Sequence, residues 1–131
     1  MKHEPFKISY TPIHAGTNET SINFYDTIAE IRSELSLITQ NSLFITDQTV
    51  AHLPAIEDFI RTIPEDRVVV LPPGETYKTI EQVLIILSKA VELKLTRSSM
   101  FIGIGGGVVT DMTSFASSLY KRGCRLWLVP T

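Results

Sequence analysis

One cysteine, one tryptophan and three histidines are all that the 131 residues hold of the side chains that most often staple, anchor or ligate. A lone Cys124 excludes an internal disulfide and with it a disulfide-stapled secreted fold. His3, His14 and His52 are too scattered to form a metal motif. No apolar run reaches the roughly 18 residues of a membrane span, and Met1-Lys2-His3-Glu4-Pro5 lacks the apolar core of a signal peptide. Basic excess is missing too. Lys plus Arg number 12 against 14 Asp plus Glu, net charge −2, so there is no electrostatic footprint for nucleic acid. What is present is apolar. Hydrophobic residues make up 44% and charged residues 20%, which excludes intrinsic disorder. The expectation is one cytoplasmic α/β or α+β domain over residues 1–131, with no membrane and no nucleic-acid partner. A chain of this length removes roughly two thirds of its unfolded surface from water.

Phe6, Ile8 and Tyr10 alternate with polar residues and predict a strand, and 13–20 reads as a turn. Phe24, Ile28, Ile31 and Leu35 share one helical face, with Asn23 as cap and Asp26 in the first turn. The apolar runs Leu43–Thr46, Val68–Leu71, Met100–Ile104 and Leu126–Val129 predict strands. Helices are expected from near Pro54, from Ile80 to Leu95, and through Met112, Phe115, Ala116 and Leu119, all facing in. Continuous rather than alternating apolar runs belong to strands buried on both faces, the habit of parallel sheets sandwiched by helices.

Ligands of open parallel sheets bind beyond the carboxyl ends of the strands. Those ends carry Asp47, the Pro73–Lys78 segment, Gly105–Asp111 and Thr131. The run Gly105-Gly106-Gly107 follows a strand and opens a helix, where a bare backbone and a positive dipole end suit a phosphate. Tight strand-to-helix packing is the competing explanation. The run is not a dinucleotide fingerprint, because Val108 stands where G-x-G-x-x-G needs glycine, and no Gly-Lys pair supports a triphosphate loop. Asp111 is expected in the first helical turn, either complementing the dipole or accepting from a ribose hydroxyl. Glu75 could accept from ribose or adenine and Lys78 could offer a point charge, or both could be solvated turn residues. Asp47 could cap the turn that follows it. Tyr120-Lys121-Arg122-Gly123 reads as ordinary helix termination, with Cys124 a small residue entering the last strand.

Four segments together resemble the 3-dehydroquinate synthase family of sugar phosphate cyclases: Leu71-Pro72-Pro73-Gly74-Glu75-Thr76-Tyr77-Lys78-Thr79, Gly105 through Ala116, Tyr120-Lys121-Arg122-Gly123 and Val129-Pro130-Thr131, with Ile45-Thr46-Asp47 fitting a strand end. The resemblance covers roughly residues 40–131. It implies a Rossmann-like, mostly parallel sheet with helices on both faces, forming the N-terminal NAD-binding domain. A helical second domain with a zinc or cobalt site is expected beyond these residues, so neither catalytic residues nor metal ligands are expected among them. The resemblance puts Gly74, Glu75 and Lys78 on the adenosine and ribose side of NAD, with Asp47 also a cofactor contact. Gly106, Gly107, Val108, Val109, Thr110 and Asp111 would cradle the pyrophosphate, Thr131 would touch the cofactor, and Arg122 would bind the anionic substrate. Pro73 and Thr110 depart from the family's usual aspartate and glycine; Thr110 is harmless there only at negative φ.

The implied reaction converts a seven-carbon keto-sugar acid phosphate of the shikimate pathway to 3-dehydroquinate, with NAD taking and returning a hydride and phosphate leaving in between. A homodimer is expected. The alternatives are a sister cyclase, or a metal-dependent glycerol or alcohol dehydrogenase of the same fold. A flavodoxin- or receiver-type module with Asp47 as acceptor is more remote, because Thr11-Pro12 follows the first strand where a receiver places acids.

Overall fold

The computed structural model describes residues 6–10 and 18–131, with side chains from Thr20 onward. Its centre is a four-stranded parallel sheet made of β3 (Ser42–Asp47), β4 (Val68–Leu71), β5 (Met100–Gly105) and β6 (Arg125–Pro130), in the order β4-β3-β5-β6. The central strands β3 and β5 are buried along almost their whole length. The edge strands β4 and β6 are only partly covered.

Helices cover both faces, because the strand side chains alternate between two cores. On one face Leu43, Ile45, Leu71 and Phe101 pack with residues of α4 (Ile80–Glu92) and α5 (Gly107–Leu119). On the other, Phe44, Ile102 and Ile104 pack with α1 (Ile28–Ile38) and α3 (Pro54–Ile60). The short α2 (Gln48–Ala51) links β3 to α3. The expected α/β class with helices on both faces holds. Its two-sided burial matches the non-alternating runs that suggested it.

Several boundaries differ from expectation. Asn18–Ile22 is a strand, β2, paired antiparallel with β1 (Phe6–Tyr10), so the reading of 13–20 as a turn is corrected from Asn18 onward. The rest of that stretch, 13–17, lies outside the described residues. Helix α1 starts at Ile28 with Thr27 at the N-cap, so Asn23 and Asp26 precede it. Only Ile31 and Leu35 of the expected stripe are fully buried, and Phe24 is exposed. Helix α4 stops at Glu92. Lys94, at φ 54°, turns the chain, and the Leu95 N–H closes back on the Ala90 carbonyl at 3.0 Å. Leu95 is buried as the periodicity implied, but from beyond the helix. Helix α5 opens at the glycine run as expected, but it begins at Gly107, early enough to move Asp111 out of the first turn. Phe115 and Leu119, read as facing in, are about half exposed, as are Ile80 and Leu84.

Candidate functional site

The parallel register brings the strand ends to one edge. Asp47 lies beside Leu71, and Gly105 beside Pro130. The loops that follow β4 and β5 therefore emerge on the same side, and the chain returns there at Thr131, whose N–H donates to the Gly105 carbonyl at 3.1 Å.

After β4, Pro72 and Pro73 stiffen the chain and Gly74 turns it at φ 98°, a conformation that side chains strongly disfavour. A single 3-10 turn, Glu75–Tyr77, follows, closed by the Lys78 N–H on the Glu75 carbonyl at 3.0 Å. This turn aims the Lys78 ammonium at α5. Its Nζ lies 2.6 Å from Asp111 Oδ2 and 3.7 Å from Glu75 Oε2. The hydrogen bond to Asp111 raises the Lys78 pKa, helped by the charges of Asp111 and Glu75 and opposed by desolvation. The group is therefore a fixed cation across the neutral range. Two segments that looked independent in the sequence, 74–78 and 105–111, are thus tied by one ion pair. Thr79 takes the N-cap position of α4 as expected, but its side chain makes no capping bond.

The glycine run divides into two kinds of residue. A Cβ on Gly105 would stand 2.8 Å from Val109 Cγ2, and one on Gly103 would stand 2.7 Å from Thr113 Oγ1. These two glycines let α5 lie close on β5, so the packing explanation is correct for them. Around Gly106 and Gly107 nothing lies within 4 Å of a built Cβ. The fold makes no packing demand for glycine at either position, and the space outside their backbone is open. Gly106 is the N-cap of α5 and no side chain caps that end. The first-turn N–H groups of a helix have no intrahelical acceptor. Here they sit at the positive end of the dipole facing open space, an arrangement suited to an anion.

The remaining candidates fall into place around this turn. Val109 is fully buried, so only its backbone is available, and Val108 is half buried against the core. Thr110 is helical and absent from the positive-φ residues, so its branched side chain is accommodated. Asp47 caps α2, its Oδ1 accepting from the Val50 N–H at 2.8 Å, as the local reading of an acid after a strand suggested. Arg122 is the residue the fold does not bring to this edge. It sits between the end of α5 and Arg125, which pairs with Met100 at the start of β5, so it lies at the opposite end of the sheet. Lys121 and Arg122 both have positive φ, 47° and 65°, ahead of Gly123 at 111°, so this segment is a strained corner rather than a simple helix cap. Burial pushes the Cys124 thiol up to about 11, which keeps it protonated and unreactive at neutral pH.

A cleft of about 290 Å³ opens between α4 and α5 beside the Lys78–Asp111 pair, with Thr79, Ile80, Val83, Met112 and Phe115 in its walls. Sequence reasoning missed it because Ile80 and Phe115 carry the helical apolar period and so read as core. Among the described residues, no group of three or more His, Cys, Asp or Glu side chains could hold a metal ion, and no helix is long and apolar enough to cross a membrane.

Comparison with known proteins follows the same segments. The family model described as 3-dehydroquinate synthase N-terminal matches residues 68–131. The 3-dehydroquinate synthase of Helicobacter pylori (strain ATCC 700392 / 26695) is 42% identical over 96 residues, covering 72% of this chain and 28% of its own length. That of Sulfurovum sp. (strain NBC37-1) is 39% identical over 109 residues, covering 82% and 31%. The chain thus spans under a third of the length of these relatives. Among solved structures, a 2-deoxy-scyllo-inosose synthase superposes with TM-score 0.63 at 24% identity over 86% of this chain and 33% of that one. A second structure of such a synthase, complexed with carbaglucose-6-phosphate, NAD+ and Co2+, gives 0.61 at 27%, again covering 86% and 33%.

Proposed function

Residues 68–131 belong to the 3-dehydroquinate synthase N-terminal family, and on that premise we propose that this chain is the NAD-binding part of an enzyme that cyclises a seven-carbon keto-sugar acid phosphate to 3-dehydroquinate and phosphate. The observation that carries the reading is the pairing, on one sheet edge, of an uncapped helix start behind two unobstructed glycines with a cation fixed beside it. Bound there, NAD supplies a hydride acceptor that is restored within each turnover.

The chain's own residues bind and orient. The first-turn N–H groups after Gly106 receive the diphosphate, and Lys78 offsets its second negative charge. Asp111 holds Lys78 in place and, with Glu75, presents carboxylate oxygens to ribose hydroxyls. Asp47 has Oδ2 to offer, since Oδ1 is taken by its cap. Thr131, hydrogen-bonded to Gly105, brings the end of β6 to the same spot. Gly74 lets the loop turn without placing a side chain over the edge. Arg122 can bind the anionic substrate, as the resemblance implies, only when a second copy of the chain presents it, because its own sheet separates it from its own glycine turn. That requirement agrees with the expected homodimer. The resemblance implies that the zinc or cobalt of the whole enzyme belongs to the helical second domain.

The likeness to 2-deoxy-scyllo-inosose synthases favours one second reading, a sister cyclase that uses the same edge for the same cofactor on another sugar phosphate. Both readings require NAD binding. Titration of NAD into the chain by calorimetry should give one site, displaced by inorganic diphosphate and weakened by Lys78→Met. Absence of NAD binding at millimolar concentration would overturn both readings.

A further inference from the structure

We propose that the Thr110 hydroxyl is the positioning group that sets the two leading N–H donors of α5 for a diphosphate, an inference that rests on the NAD reading above. Gly106 and Gly107 have no side chains, nothing within 4 Å of a built Cβ, and no capping side chain. Adjacent glycines with no neighbours have wide conformational freedom, which has to be lost when a ligand orders them. One side chain restrains them. Thr110 Oγ1 lies 3.2 Å from the Gly106 carbonyl oxygen and 3.1 Å from that of Gly107, so its single proton serves both acceptors. The Thr110 N–H also donates to the Gly106 carbonyl, at 3.0 Å.

Planarity of the peptide group turns this into a statement about donors. The Gly106 carbonyl shares a rigid plane with the Gly107 N–H, and the Gly107 carbonyl with the Val108 N–H, each pair pointing in opposite directions. Holding both carbonyls toward the body of the helix holds both N–H groups outward, into the space the glycines leave open. The hydroxyl touches neither the ligand nor the reacting atoms; it acts through two peptide planes. Thr110 is itself held in the helix, where its own carbonyl accepts from Ser114 Oγ at 2.7 Å.

The test compares wild type with Thr110→Ser, Thr110→Val and Thr110→Ala in the full 131-residue chain. Three readouts are taken: 15N order parameters of the Gly107 and Val108 amides without ligand, affinity for NAD and for inorganic diphosphate, and Tm. Val and Ala should lower both order parameters and weaken both ligands by roughly three- to tenfold, the range expected for one lost hydrogen bond. Ser should restore wild-type values. Ala is the better helix former, so weaker binding in a variant at least as heat-stable as wild type separates positioning from mere support of the fold. Wild-type order parameters and affinities in Val and Ala would overturn the proposal. Failure of the wild-type chain to bind either ligand would overturn the NAD reading instead, and the order parameters alone would then decide whether the hydroxyl restrains the turn.

Discussion

Glycines four residues apart or fewer have opposite duties in this chain. Gly103 and Gly105 are small because α5 lies against them, while Gly106 is small with nothing against it. The two duties separate under substitution. Gly103→Ala or Gly105→Ala should cost about 1–3 kcal/mol, since a methyl must displace Thr113 or Val109 in a packed core, read as a lower urea midpoint. Gly106→Val, at φ −78°, adds a side chain in a conformation it tolerates and should leave the midpoint nearly unchanged while abolishing NAD binding. Strong destabilisation by Gly106→Val would show that the open space around Gly106 does not describe the folded chain. The sequence displayed a run of three glycines without separating these duties, because the distinction depends on which residues of α5 lie over β5, a contact between elements that spacing along the chain does not show.

At the scale of elements, the four apolar runs and the helices between them were legible because buried parallel strands and amphipathic helices write different periods into the chain. Their ends were less legible. Asn23 was expected to cap helix α1 because Phe24 falls on the right period, yet Phe24 is exposed and the helix waits until Ile28. The site was legible as segments, but the Lys78–Asp111 pair that joins two of them spans 33 residues in sequence and follows only from the sheet order. A further tie between elements has no local signature either. Tyr120 is buried at the end of α5, and its hydroxyl donates toward the carbonyls of Ala90 at 3.1 Å and Leu95 at 2.7 Å, satisfying the C-terminal end of α4. Tyr120→Phe should lower stability by about 1–3 kcal/mol, the penalty for removing the hydroxyl donor from the Leu95 carbonyl while the Ala90 carbonyl keeps the Leu95 N–H, with NAD affinity unchanged because the clamp sits at the far end of both helices. An unchanged urea midpoint would show that water reaches the Leu95 carbonyl.

For the molecule as a whole, the outer side of α4 and α5 carries Ile80, Leu84 and Val91 beside Phe115 and Leu119, each 47–65% exposed. Exposed apolar side chains on two neighbouring helices suit an interaction face, and a second copy meeting them about a two-fold axis is the simplest cover. Sedimentation at micromolar concentration should show a dimer that Leu84→Glu shifts toward monomer; a concentration-independent monomer in the wild type would overturn this. The order β4-β3-β5-β6 has a kinetic consequence as well. The central pair β3–β5 joins residues 58 apart in the chain, as the Asn41–Ser99 contact at its base shows. Closing so long a loop precedes any reward from the contacts it makes, which slows folding relative to a fold of local contacts. On a ribosome β3 and β4 emerge first and can pair at once, while β3's other flank stays bare until β5 is released. The glycine turn lies just beyond β5, so the edge that would take the cofactor acquires its shape only after the open flank of β3 is filled.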